Sequence, residues 1–295
     1  MLPVLACGLA TVDVVQVVEH VPGPDEKVVA LATRVEAGGP ALNAAVTTSL
    51  LGMPCRLVTA VGGSPLGGVV RSECAQFGVD LVDLADAGYE LPVATVLVTS
   101  TTGERAVASR GALGAATLAT ALESDVGELL DGIHAVLVDG HHLAVAVPLA
   151  AAARARGIPV VADAGSWKPG LDRLLGHVDA LVASAAFRPP SGDGLDELLA
   201  LGPAWVARSA GAGTVRWRGA DGTGGQVHPP DIEVVDTLGA GDVLHGALLA
   251  EVGRHGTDDL PAALAAAVAV ASRSVAASGA RGWARAPRGA GVGTR

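Results

Sequence analysis

The sequence predicts an α/β fold, a mainly parallel sheet with helices on both faces. Three observations carry that expectation. Short apolar runs of strand length alternate with helix-length segments through most of the 295 residues. The strand runs are continuously apolar rather than alternating, as strands buried on both faces are. Half of the residues are hydrophobic, 50%, so the chain can fill the core of one large domain spanning residues 1–295.

"PVLACGL" reads as the first strand. "GPALNAAVTTSLLG" follows as a helix closed by Gly52, "CRLVTAVG" as a strand, and "GGVVRSECAQFG" as a helix ending at Gly78. Further on, "AVLVDG", "PVVADAG", "ALVAS" and "AWVARS" are strands, with helical stretches such as "AVAVPLAAAARARG" between them. Two regions break this rhythm. Residues 14–37 hold "VVQVVEHV" and "KVVALATRV" around the turn-rich "PGPDE". Residues 93–110, "VATVLVTSTTGERAVASR", are two β-rich runs joined by a Thr-Gly turn. Neither contains a helix pattern, and together they are expected to form a small inserted β-sheet. Such an appendage serves as a lid over a site or as a dimer surface; the alternative is a pair of ordinary edge hairpins. The Gly-rich tail, 284–295, is expected to fray.

The net charge of −10 argues against nucleic acid or an anionic membrane as the main partner. Cys7, Cys55 and Cys74 show no C-x-x-C spacing and read as buried thiols in a reducing compartment. No apolar run approaches the roughly 18 residues needed to span a bilayer, and the expected location is the cytoplasm.

The chemistry concentrates in "DIEVVDTLGAGDVLHGALLAE", residues 231–251. "IEVV" reads as a short strand and "DVLHGALLAE" has helical spacing, so Gly239, Ala240 and Gly241 fall at a strand-to-helix turn. Missing side chains let a ligand approach the backbone there, and the free N–H groups of a first helical turn bind anions. Asp242 would repel an anion unless it must face an acceptor hydroxyl and remove its proton. Otherwise it is a helix-capping aspartate.

This segment resembles the C-terminal signature of the ribokinase-like, or PfkB, carbohydrate kinases. "EAGGPALNAAVTTSLLG" resembles their N-terminal signature, and "GLATVDVV" fits a first strand ending in a substrate-binding aspartate. The motifs stand in the family's order from about residue 4 to 283. The resemblance implies a ribokinase-like three-layer α/β/α domain with a small β-sheet lid. It also implies that Asp13, Gly38, Gly39 and Asn43 hold sugar hydroxyls, with Asp139 near the substrate. Gly239, Ala240 and Gly241, with the Asp242 amide, would form the anion hole, and Asp242 would be the general base. Lys168, in "VVADAGSWKPGL", is a candidate to neutralise the γ-phosphate or else a solvated surface lysine. Thr237, Gly211, Gly213 and Gly279 would border the nucleotide, and a monovalent cation such as K+ is an open alternative beside Asp236.

Arg105 and Arg110 flank the lid strand, where they either reach an anionic substrate group or decorate an edge. His245 either touches the acceptor or packs beneath it. His141 and His142 are adjacent, lack a third ligand at usable spacing, and read as polar loop residues. One departure stands out. Many family members place Mg2+ with an Asn-x-x-Glu motif after the "LVAS" strand; here "SAAFRPP" follows.

The resulting expectation is ATP- and Mg2+-dependent phosphorylation of a primary hydroxyl on a small sugar. "LPVATVLVTSTTGER" points toward a ketohexokinase- or fructokinase-like member and a ketohexose. The alternatives are a nucleoside or sugar-phosphate kinase of the same family, or a catalytically idle sugar-binding regulator. A homodimer through the β lid is also implied.

Overall fold

The computed structural model describes residues 2–86, 88–110 and 126–285; most of the tail, 286–295, lies outside the described residues. Among these, nine strands form the central sheet in the order β13-β12-β11-β10-β9-β8-β1-β4-β5. They are β1 (Val4–Cys7), β4 (Cys55–Thr59), β5 (Asp80–Asp83), β8 (Val136–Val138), β9 (Val160–Ala164), β10 (Ala180–Ala183), β11 (Trp205–Ala210), β12 (Gly213–Gly219) and β13 (Gly224–Val227). From β5 to β11 every pairing is parallel; β12 and β13 add an antiparallel edge. The all-apolar runs are buried along their whole length, β1, β8 and β10 without exception. Parallel strands covered on both faces require this.

Helices α1 (Pro40–Leu50), α7 (Ala240–His255) and α8 (Leu260–Ser274) pack against one another on one face. Helix α4 (Leu143–Ala155) covers β8 and β9 with α3 (Val126–Leu129) and α5 (Leu171–Leu175) beside it. Helices α2 (Gly67–Phe77), α6 (Leu195–Leu199) and α9 (Gly282–Arg285) are peripheral. The result is the expected three-layer α/β/α arrangement. No helix among the described residues is long and apolar enough to cross a membrane, and the three cysteines are free and buried.

The β-rich regions build a separate four-stranded sheet, β3-β2-β6-β7. Its strands are β2 (Thr11–Val18), β3 (Ala32–Gly38), β6 (Val93–Thr99) and β7 (Arg105–Ser109). Two expectations change here. The first central strand ends at Cys7, and Asp13 belongs to β2 of the small sheet, opposite Glu36. "IEVV" forms no strand: Val235 and Asp236 both donate their N–H to Val275 O, so this stretch is tied to the end of α8 instead of a sheet.

Helices α1 and α7 approach closely at Gly246. A Cβ there would lie 2.8 Å from Thr47 Cβ and 2.9 Å from Ala44 Cα. Thr48 Oγ1 donates to Gly246 O at 2.7 Å and so stitches the two helices at the same point. In an unobstructed helix, Gly→Ala stabilises by roughly 0.8–1 kcal/mol. Here overpacking, about 1–3 kcal/mol, should reverse the sign. Thermal unfolding of Gly246→Ala is expected to show a lower Tm than wild type; a higher Tm would mean the helices are not in contact at this glycine.

Candidate active site

The C-terminal ends of the parallel strands carry three aspartates, the edge at which ligands bind in open α/β sheets. Asp139 follows β8, Asp163 lies in β9, and Asp242 stands in the first turn of α7. Their surroundings differ. Asp139 Oδ2 accepts from Leu9 N (2.8 Å) and Ala41 N (3.1 Å), and Oδ1 from His141 N (2.9 Å). Burial would raise its pKa, but the His141 ring and these donors hold it down at about 2. Asp139 therefore pins β1, β8 and α1 together from a buried position. Both of its oxygens accept backbone N–H groups of the protein. Gly8 serves the same pin, since a side chain there would occupy the space of the Asp139 carboxylate.

Asp242 has a single side-chain donor, Asn43 Nδ2, at 2.6 Å from its Oδ2. Burial, with the neighbouring Asp163 charge, pushes its pKa up to about 7 against the pull of that bond. Asn43 itself is buried, and its Oδ1 has no partner, which leaves an acceptor for a ligand hydroxyl. Asp163 is also raised by burial, opposed mainly by His245. His245 packs beneath the turn: Nδ1 lies 2.7 Å from Gly241 O and 3.3 Å from Asp163 Oδ2, and Nε2 lies 3.2 Å from Val182 O. It therefore anchors α7 to β9 and β10. Lys168 is half-buried, its pKa lowered by burial and supported by Asp139 and Asp163.

Helix α7 starts at Gly239 with φ +73° and no side-chain cap, so Asp242 is not a capping residue. Ala240 N donates to Thr237 O, while Gly241 N and Asp242 N find no acceptor among the described residues. A Cβ on Gly239 would strike Ala280 Cβ at 2.6 Å, whereas one on Gly241 would meet open space. The turn is thus packed below and open above, as an anion-receiving turn must be.

The glycine pair before α1 is equally constrained. A Cβ at Gly38 would fall 2.5 Å from Asp13 Cγ, and Gly39, at φ +97°, would meet Ala10 Cα at 2.9 Å. Asp13 Oδ1 accepts from Thr11 Oγ1 at 2.7 Å. Its pKa is raised by burial, opposed by Thr11 and by Arg281. Asp13, Gly38, Gly39, Asn43, the Gly239–Gly241 turn and Asp242 therefore converge. Gly279 N donates to Asp236 Oδ2 at 2.9 Å, laying the 279–281 segment over Gly239.

Other expected residues separate. Arg110 pairs with Glu90 at the surface. Arg105 reaches Thr237 Oγ1 at 3.0 Å across a cavity of about 560 Å3 between β7 and the loop before the turn. Gly211 and Gly213 stand at the turn between β11 and β12, where the sheet becomes antiparallel. Sequence reasoning missed Arg281, buried against Glu73, whose other oxygen accepts from Ala37 N at 3.2 Å next to the glycine pair. It also missed Arg34, which bonds Ser278 Oγ at 3.1 Å and lies 3.9 Å from Asp236.

The residues present do not fit the expected cations. After β10, Ser184 Oγ donates to Gly165 O at 2.8 Å, and Phe187 is fully buried against Trp167. No carboxylate follows Ser184 before Asp193, which is paired with Arg188 and Arg208, and no cluster of three His, Cys, Asp or Glu side chains suited to a metal exists among the described residues. Asp236 has both oxygens engaged, by Leu238 N at 2.8 Å and Gly279 N at 2.9 Å, with Arg34 alongside.

Residues 1–286 match the pfkB family carbohydrate kinases. Among solved structures, a putative ribokinase from Agrobacterium tumefaciens is 23% identical with a TM-score of 0.79, over 95% of this chain and 94% of that one. Ribokinase from Arabidopsis thaliana, complexed with ribose and ATP, is 20% identical with a TM-score of 0.72 over 94% of both chains. Fructokinase from Xylella fastidiosa, with bound ATP, is 20% identical with a TM-score of 0.72 over 94% and 93%.

The raised pKa of Asp242 has a sign that stability can report. Between the ordinary 3.8 and about 7, the folded chain holds a proton that the unfolded chain has released. This group's contribution to stability therefore falls as pH rises through that window and is flat above it. Asp242→Asn removes the loss. Its Tm gain over wild type should be larger at pH 8 than at pH 5 in thermal unfolding; an equal difference at both would contradict the shift.

Proposed function

We infer that this chain, which belongs to the pfkB carbohydrate kinase family, transfers the terminal phosphoryl group of ATP to a primary hydroxyl of a small neutral sugar. The observation that carries the reading is Asp242: a carboxylate with pKa pushed up to about 7, beside an uncapped helix start whose N–H groups are free. A base works best when its pKa lies near the working pH.

In this reading the sugar lies against Asp13, Gly38 and Gly39, with one hydroxyl donating to the free Asn43 Oδ1. Asp242 takes the proton of the acceptor hydroxyl as its oxygen attacks the terminal phosphorus and the bond to the ADP oxygen breaks. The N–H groups of Gly241 and Asp242 receive the phosphoryl oxygens, and each such donor is worth about 10²–10³ in rate. Lys168 adds positive charge beside Asp139 and Asp163. The 279–281 segment and the β11–β12 turn flank the nucleotide.

The small sheet closes over the sugar, with the Arg105–Thr237 contact as its latch. Its edge strand β3 and the preceding loop carry Val29, Leu31 and Val35, exposed by 85%, 58% and 54%. This apolar edge is the face through which two copies would pair.

A neutral acceptor, with a ketohexose leading, is favoured over a sugar phosphate because the cations nearest the sugar motif are already paired: Arg281 with Glu73, and Arg34 beside Asp236. The test is ADP formation across ketoses, aldoses, nucleosides, sugar acids and sugar phosphates. A free ketohexose should give the highest kcat/KM, and a sugar phosphate outcompeting every free sugar would overturn the choice. Asp242→Asn should lower turnover by roughly 10²–10⁴ while sugar and nucleotide affinities hold in calorimetry. Turnover within a few-fold of wild type would remove Asp242 as the base.

A further inference from the structure

His245 faces more hydrogen-bond acceptors than a neutral imidazole can serve. Its Nδ1 lies 2.7 Å from Gly241 O and 3.3 Å from Asp163 Oδ2, and its Nε2 lies 3.2 Å from Val182 O. The residue is only 4% exposed, so the ring is closed off from bulk solvent. A carbonyl oxygen can only accept. Both ring nitrogens must therefore donate, and only the imidazolium has two N–H groups. Either neutral tautomer would set a bare ring nitrogen against a buried carbonyl oxygen, lone pair against lone pair.

We propose that His245 is a positioning residue, held as an imidazolium beneath the Gly239–Gly241 turn, whose Nδ1–H bond to Gly241 O strengthens the Asp242 N–H as a donor to the transferred phosphoryl group. The proposal rests on the kinase reading and adds where this chain keeps a positive charge for the reaction.

The effect travels through one peptide bond. Gly241 C=O and Asp242 N–H belong to the same planar amide. A cation donating to that oxygen draws electron density toward it and leaves the N–H more positive. Linked hydrogen bonds polarise one another in this way, by about 10–30% per bond. The Asp242 N–H is one of the groups left free at the uncapped start of α7, where the helix dipole already favours negative charge.

A buried cation needs a partner, and Asp163 on β9 supplies it. Burial raises the Asp163 pKa, and His245 is the largest influence opposing that rise. Asp242 stands on the same helix, Asp139 at the end of β8 with His141 beside it, and Lys168 after β9. Strand β10 contributes the Val182 carbonyl, and β1 the Cys7 thiol, kept neutral by burial. Helix α1 carries no titratable residue, and α8 only Arg273 in its last turn. Carboxylates thus outnumber the lysine in this layer, which favours a proton on the ring. An anchor for α7 would need one N–H; the second donor is what anchoring leaves unexplained.

The test reads the ring directly by NMR of the whole chain with isotopically labelled histidine, His245→Gln assigning the signals. At pH 7.5 an ordinary histidine is about nine-tenths neutral, whereas both ring nitrogens of His245 should carry protons. A ring with a single protonated nitrogen would overturn the proposal. Asp163→Asn removes the counter-ion, so the same ring should then hold one proton at that pH; a ring unaffected by it would contradict the ion pair. Kinetics read the consequence. His245→Gln keeps an amide donor and loses the charge, so kcat should fall roughly ten-fold, less than the loss of a whole donor, with both KM values within about two-fold. A raised KM at unchanged kcat would reduce His245 to a structural anchor and overturn its role in the reaction. If the wild type phosphorylates no sugar, the kinase reading fails and the kinetic half of the proposal with it, while the charge on the ring still stands or falls on the NMR result.

Discussion

The close crossing of α1 and α7 at Gly246 sets the rest of the site. The glycine removes the side chain that would hold the helices apart, and Thr48 uses the freed space to bond Gly246 O at 2.7 Å. About one helical turn toward the N-terminus of each helix, the same approach brings Asn43 to 2.6 Å from Asp242. The two motifs lie almost two hundred residues apart in sequence, and this crossing makes them one site. It also surrounds Asp242 with protein, which raises its pKa. A wider crossing would leave a solvated carboxylate and a detached amide.

Three aspartates at one sheet edge show how little the residue type decides. Asp139 is the most deeply enclosed yet has its pKa lowered to about 2, because backbone N–H groups and His141 surround it. Asp242 has one amide donor and a like charge nearby, and is raised to about 7. Asp163 is raised as well and leans on His245 and Lys168. The number of donors facing each carboxylate separates the lowered pKa of Asp139 from the raised pKa of Asp242. His245 lies directly beneath the turn, 2.7 Å from Gly241 O, while Lys168 acts on this group through its charge.

Much of this was legible in the chain because it is local. The apolar strand runs, the helix after "GG", and the glycine turn in "GAGD" follow from composition and spacing within a few residues, whereas the lack of a side-chain cap at that turn does not. The small sheet was legible as two helix-free regions, although β2 begins at Thr11 and takes Asp13 with it. "IEVV" misled because β-branched residues favour strands only when a partner strand is present; here α8's end supplies the acceptor. Contacts between distant segments left no signal: Arg34 with Ser278 and Arg281 with Glu73. Asp139 was visible as a strand-end acid, but the three backbone N–H groups that face it were not, so its structural role could not be read.

The most direct measurement is a crystal structure of the chain with a sugar it phosphorylates and a non-hydrolysable ATP analogue. The account predicts the acceptor hydroxyl within hydrogen-bond reach of the Asp242 carboxylate, about 2.6–3.2 Å, with the terminal phosphoryl group over Gly241. A hydroxyl turned away from Asp242, or a phosphoryl group lodged elsewhere than the Gly239–Gly241 turn, would contradict it.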